Sequence, residues 1–221
     1  YDILGLAPGV TYYFRVSSLH GSSIDGSFTQ SEWGPSQSVA TQEPTLAIDL
    51  DIASSVGGSS APPYILGLNI IPANVITSDN YIIFRTTSNA VGGLEMYLKS
   101  TNGSLYNSSG NQINSVSAPS QDLASISSGY GIRNDSTTNS QNNTSGNLGT
   151  INVMSSPIDY TDTGAVTKVG GPSTTFQKIF DTNGLPIYTG VSGYKVKAKS
   201  SFSEQSGTYT ETLTYIPVGS Y

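Results

Sequence analysis

The sequence predicts an all-β chain in two parts: a short set of strands over residues 1–42 and, after a linker at 43–45, a larger β-sandwich or jelly-roll-like domain over 46–221. Three observations carry this. Short runs rich in β-branched and aromatic residues alternate apolar with polar, the period of a half-buried strand. Gly, Pro, Asn and Ser border those runs, where turns need a preset or positive φ. Helical periodicity is weak throughout, and only DLASIS (122–127) reads as a short helical turn.

In the first part, YDILGL (1–6) alternates and is followed by a turn at Ala7-Pro8-Gly9, in which Pro presets φ and Gly accepts φ > 0. The next run, TYYFRVS (11–17), puts Tyr12, Phe14 and Val16 on one face and Tyr13, Arg15 and Ser17 on the other. The first face reads as core and the second as solvated. A loop, SLHGSSIDGSFTQSEWGPSQ, leads to a closing strand and exit linker, SVATQEP.

The string LAPGVTYYFRV resembles the corner of fibronectin type III domains in which a Leu and a Pro-Gly turn precede a Tyr at the start of an alternating strand. The resemblance covers residues 1 to about 42 and implies the carboxy-terminal strands of an immunoglobulin-like sandwich. It assigns a tyrosine corner to Leu6, Pro8, Gly9 and Tyr12, with the Tyr12 hydroxyl hydrogen-bonded to the chain just upstream. A complete domain of that family has four more strands before this point. The missing cover comes either from the same polypeptide or from another copy.

In the second part, the runs with strand character are TLAIDLDIA (45–53), YILGLNII (64–71), NYIIFRTTS (80–88), LEMYLKS (94–100), QKIFDT (177–182), YKVKAKSSF (194–202) and TYTETLTYIPV (208–218). Residues 101–150 are rich in Asn, Ser, Gly and Thr and are expected to form surface loops or a pair of hairpins rather than core. The layout of LNIIPANVITSDNYIIFRTTSNAVGGLEMYL and the terminal GTYTETLTYIPV resembles bacterial surface β-sandwich repeats, with related layouts in secreted pilin-like and matrix-fibre subunits. That likeness is one of strands and turns, not of reactive groups.

Composition bounds the function. Charged residues are 11% of the chain, about half the usual share. A surface of hydroxyls and amides suits an exported protein, and the absence of cysteine leaves packing and ladder bonds to hold it together. That habit is commoner at bacterial and archaeal surfaces than among secreted animal proteins, so an extracellular, prokaryotic address is expected. No signal peptide is evident and no apolar run reaches the roughly 20 residues of a membrane span, so an export signal or anchor is expected outside this chain. A net charge of −6 with nine Lys and Arg argues against nucleic acid. Lys195, Lys197 and Lys199 alternate and read as a solvated strand face.

No catalytic constellation emerges, and the chain is expected not to be an enzyme. His20, the only histidine, ends a strand. The acid pairs Asp49 with Asp51 and Asp159 with Asp162 lack the surroundings of a glycosidase pair. No cofactor is expected, with calcium at those same carboxylates as the one alternative to solvated turn residues. Sequons at Asn102, Asn107, Asn134, Asn142 and Asn143 are candidate glycosylation sites. Trp33 reads as packing against its own sandwich, the alternative being stacking on a sugar. The expected role is a structural or adhesive portion of an extracellular fibre that associates with itself or with neighbouring domains. The alternative is a carbohydrate-binding or spacer module of a secreted hydrolase.

Overall fold

The computed structural model describes residues 6–22, 26–117, 119–140, 149–205 and 207–221. The chain is all-β and divides into two units, Tyr1–Pro44 and Thr45–Tyr221. In the first unit the strands are β1 (Thr11–Phe14), β2 (Leu19–Ser22), β3 (Ser27–Gln30) and β4 (Gln37–Ala40). β1 pairs antiparallel with β4, setting Tyr12 opposite Val39, and β2 pairs antiparallel with β3. Backbone bonds from Gly34 N to Val16 O and from Ser31 N to Ser18 O, both 2.9 Å, link the two ladders into one long hairpin. The segment expected as a loop is therefore largely ladder. Its strands are too polar and Gly-rich to show an apolar alternation, yet backbone pairing needs none. Residues 1–5 of the expected first strand lie outside the described residues.

The second unit contains β5 (Leu46–Ala53), β6 (Ile76–Thr77), β7 (Tyr81–Ser88), β8 (Leu94–Ser100), β9 (Ser104–Tyr106), β10 (Gln112–Asn114), β11 (Gln121–Asp122), a 3₁₀ turn at Leu123–Ser125, β12 (Gly129–Ser140), β13 (Asn152–Val153), β14 (Lys168–Val169), β15 (Gln177–Asp181), β16 (Ile187–Lys199) and β17 (Leu213–Gly219). One sheet runs β12-β16-β7-β5, with β6 added beside β16, and the other runs β13-β15-β8-β17. All pairings named here are antiparallel. The two sheets close on a shared apolar core. Phe84 of β7 stands at its centre, its ring centroid 4.8 Å from Tyr215 of β17, 5.9 Å from Tyr194 of β16 and 6.1 Å from Phe180 of β15. Those tilted and edge-on contacts suit the ring quadrupoles. Burying a Phe side chain of this kind stabilises the fold by about 1.5–3 kcal/mol.

The 3₁₀ turn falls where DLASIS predicts one, begun by the Asp122 carboxylate accepting from Ala124 N at 2.9 Å. Other expectations need correction. YILGLNII (64–71) forms no ladder: Leu66, Leu68 and Ile70 are half-buried against the core while Ile65 and Ile71 stay exposed. The period of two is present, but the segment lies over the core as an extended strap with no ladder partner among the described residues. β16 begins seven residues before YKVKAKSSF, and β17 begins only at Leu213, Thr210 making a single bridge to Tyr106.

The region 101–150 is not simply surface loop. It supplies β9, β10 and the long β12, and buries Leu105, Ile113, Leu123, Tyr130 and Ile132. Apolar residues are sparse there, but most of those described point inward, and composition averaged over the stretch conceals such placement. Residues 141–148 lie outside the described residues. No helix among the described residues is long and apolar enough to cross a membrane.

Candidate functional site

Two surfaces follow from how the strands are laid out, and a third group of residues turns out to be structural. In the first unit, the turn at Pro8-Gly9 brings the chain back so that Ala7 N donates to the Tyr12 hydroxyl at 2.8 Å. Gly9 has φ 67°, the left-handed conformation such a turn demands. The neighbouring rung is tied by Thr41, whose hydroxyl accepts from Val10 N at 3.0 Å and donates to Ala7 O at 2.7 Å. Tyr12 is thus tied to the chain just upstream of its own strand. The apolar face it begins is open, however. Phe14, Val39 and Val10 are exposed and Val16 is 73% exposed, so the face read as core has no cover among the described residues.

The tip of this hairpin is also apolar. Leu19 of β2 and Phe28 of β3 are exposed, and Trp33 is 58% exposed rather than packed on its own sandwich. Among the described residues of this unit the paired strands have no opposite sheet for an indole to lie against. His20, opposite Thr29, is likewise exposed.

The second surface is the free side of β5. Asn89 N donates to Thr45 O, which lies one residue before β5, and in an antiparallel ladder inward and outward backbone groups alternate. Leu46, Ile48, Leu50 and Ile52 therefore turn their N–H and C=O groups away from β7. Ile52 N confirms the parity by donating outward to the Ser60 hydroxyl at 2.8 Å. At Leu46, Ile48 and Leu50 no described residue takes the other side, and their side chains reach the core only half-buried or less.

Compared with known protein families, curated proteins and solved structures, the chain matches none of them. Function must therefore be read from these surfaces and from where the sequence-predicted residues lie.

Three of the four acids in the candidate pairs stand beside cations of the same unit. Arg85 of β7, opposite Asp49, ion-pairs with Asp51 and lies 3.8 Å from Asp49, while its other nitrogen donates to Val56 O at 3.0 Å and Gly58 O at 2.5 Å. Asp51 is buried, and its second oxygen accepts from Ser60 N at 2.6 Å. Asp159 pairs with Lys168 and accepts from Thr161 N at 3.0 Å. Burial works to raise the Asp159 carboxyl, but the bonds from Lys168 and Thr161 outweigh it and hold it below its ordinary value. Asp162 contributes its backbone carbonyl to Arg133. The carboxylates of Asp49, Asp51 and Asp159 thus serve as partners of Arg and Lys, and no cluster of three or more metal-ligating side chains lies among the described residues.

Two sequons are corrected. Asn134 is buried, and its amide nitrogen donates to the Ser192 hydroxyl at 2.9 Å and Gly193 O at 3.2 Å. Asn107 is buried as well, its side-chain oxygen closing the β9–β10 turn by accepting from Ser109 N at 3.0 Å and Asn111 N at 2.8 Å. A glycan has no access to either. Asn102 is exposed, and Asn142 and Asn143 lie outside the described residues.

The expectation of a solvated Lys195, Lys197 and Lys199 face is overturned at the first two positions, while Lys199 stays half-buried with its ammonium donating to Ala124 O at 3.3 Å. Lys195 and Lys197 are buried, Lys197 to 5% exposure. Lys195 stands opposite Arg133 on β12, and Lys197 opposite Gly131. A bulge after Asn134 lets Asp135 lie 3.1 Å from Arg133 Nε and 3.5 Å from Lys197 Nζ. The remaining donors go to backbone carbonyls of the covering loops: Arg133 to Asp162 and Ala165, Lys197 to Val166 at 2.6 Å, and Lys195 to Ser78 at 2.9 Å and Asp79 at 2.5 Å. Lys195 Nζ also sits 3.8 Å from the Tyr81 ring centroid. Gly131 permits the close cover, since a Cβ there would lie 2.6 Å from Gly170 O. Burial pushes both lysines below their ordinary pKa. These cations staple loops to a sheet. Sequence reasoning missed them because alternation names a face without saying what covers it.

Proposed function

We propose that this chain is a structural, adhesive portion of an extracellular cell-surface fibre, assembling through strand and sandwich contacts. The observation that carries the reading is the uncovered apolar face of the β1–β4 ladder. A two-stranded pair is marginal in water on its own, and a face bearing Phe14, Val16 and Val39 calls for strands from elsewhere in the same polypeptide or from another copy. Backbone ladders then give strong association without reactive side chains. The low charge of the whole surface and the commitment of the buried ionic groups to internal staples support a non-catalytic role at an extracellular, prokaryotic address.

Electron microscopy of the purified chain across a wide concentration range tests this. Elongated particles that lengthen with concentration are the expected result, and uniformly monomeric particles would overturn it. One observation favours a second reading, a carbohydrate-binding or spacer module: Trp33 and Phe28 stand exposed on one hairpin, and planar aromatics stack on sugar rings. Reproducible glycan-array binding that Trp33→Ala abolishes would support that reading instead.

A further inference from the structure

The free side of β5 is a self-complementary edge, and we propose that it pairs antiparallel with β5 of a second copy about a two-fold axis through Ile48. This deepens the assembly reading above by naming one of its contacts, and it rests on that reading only in requiring that copies associate.

The edge is open where other edges of the same sandwich are blocked. The far side of β12 is covered by bonds between Ile132 and Gly170, 2.9 Å in each direction, and by Asn134 N donating to Tyr160 O at 2.7 Å. On β17, Thr101 N donates to Thr212 O and Ser220 N to Gly93 O, so even-numbered residues face β8 and odd-numbered ones face outward. Pro217 therefore sits at an outward position and removes a donor from the middle of that edge. β13 is two residues long. Against these, β5 offers three consecutive outward positions, Leu46, Ile48 and Leu50, without a proline, a bulge or a covering segment among the described residues.

The occupant is set by charge and by apolar pattern. In an antiparallel pair centred on Ile48, Ile48 meets its own copy and Leu46 meets Leu50 of the second copy, in both senses. Each outward rung then exchanges its pair of backbone bonds. The side chains on that face are all aliphatic, and pairing extends the apolar cover over Ile48 and Leu50, which one copy leaves half-buried. On the opposite face Asp49 meets Ala47, so no like charges stand directly across. Shifting the centre to Leu50 would set Asp49 against Asp51 and call on the Ile52 N–H already given to Ser60. The Ile48 register engages all three outward rungs and avoids the charge clash and the lost donor of the Leu50 one. Two five-stranded sheets would then join into one continuous sheet.

Position 47 tests this without touching the core, because Ala47 is exposed. Sedimentation equilibrium of the full chain is expected to show a reversible dimer. Ala47→Asp, which sets like charges opposite on both sides of the axis, should raise the dimer dissociation constant roughly fivefold or more, and Ala47→Lys, opposite Asp49, should lower it by a similar factor. Thermal midpoints at a dilution where the chain is monomeric check that both variants fold. A wild-type chain that stays monomeric to high concentration overturns the proposal, as does a dimer that responds to neither substitution. Filaments insensitive to position 47 would sink this contact while leaving the fibre reading intact. A position-47-sensitive dimer that never extends would do the reverse.

Discussion

At the scale of single residues, partners separate buried polar groups that stabilise from those that do not. Glu211 shows the first kind: one oxygen accepts from the Ser100 hydroxyl at 3.0 Å, Thr101 N at 2.7 Å and Asn102 N at 3.0 Å, fastening the turn after β8. Ser100 in turn lies 3.4 Å from the hydroxyl of Tyr130, which burial pushes up to about 12. Tyr215 shows the second kind. Its ring fills the core against Phe84, but its hydroxyl is buried with no hydrogen-bond partner, and a buried polar atom left unpaired costs about 1–3 kcal/mol. Tyr215→Phe keeps the ring and removes the cost, so the urea midpoint should stay level or rise. A fall of about 1 kcal/mol or more in unfolding free energy would show that the hydroxyl contributes to stability. Neither Glu211 nor Tyr215 stands out in sequence, because the partners lie about a hundred residues away.

At the scale of elements, edges matter more than interiors. β7, β8 and β16 were legible as strands because Ile82, Phe84, Met96, Leu98, Tyr194 and Val196 alternate over runs long enough to show the period. What alternation cannot state is which strand lies at a sheet's border. Pro217 acquires meaning only from the pairing of β17 with β8, which turns its missing N–H toward the open side. Pro217→Thr restores that donor, and the variant should self-associate more readily than the parent at equal concentration, read by light scattering. Unchanged scattering would mean that Pro217 does not guard the edge.

At the scale of the whole molecule, ion pairs tie stability to pH. Lys178 bridges Glu95 and Asp181, each at 2.9 Å, across neighbouring strands of the second sheet. Hydrogen bonds from Tyr97 and Lys178 hold Glu95 below its ordinary 4.5. Burial works to raise Asp181, but Lys178, Asn152 and the Asn183 amide outweigh it and hold the carboxyl below its ordinary 3.8. With folded values below unfolded ones, the unfolded chain binds more protons in acid. The stability these groups contribute is therefore present above about pH 4.5 and lost as pH falls through their lowered folded values. Thermal midpoints from pH 6 to pH 2 should decline in acid, and Lys178→Met should flatten that decline. An equal acid slope in the variant would place the acid sensitivity in other carboxylates.

Sequence alone determined that this chain is all-β, where most long strands of the second unit lie, and that a short 3₁₀ turn follows Asp122. Those properties are local: a period of two, a turn residue or a cap is written within a few neighbours. Tertiary structure alone decided that Lys195 and Lys197 are buried staples, that Asn107 and Asn134 are closed to modification, that a stretch rich in Asn and Ser carries part of the core, and that 64–71 has no ladder. It also decided that Asp51 belongs to Arg85 and that β5 presents an open edge. Each of these depends on which distant segment lies alongside, and backbone pairing between segments leaves little trace in the composition of either one.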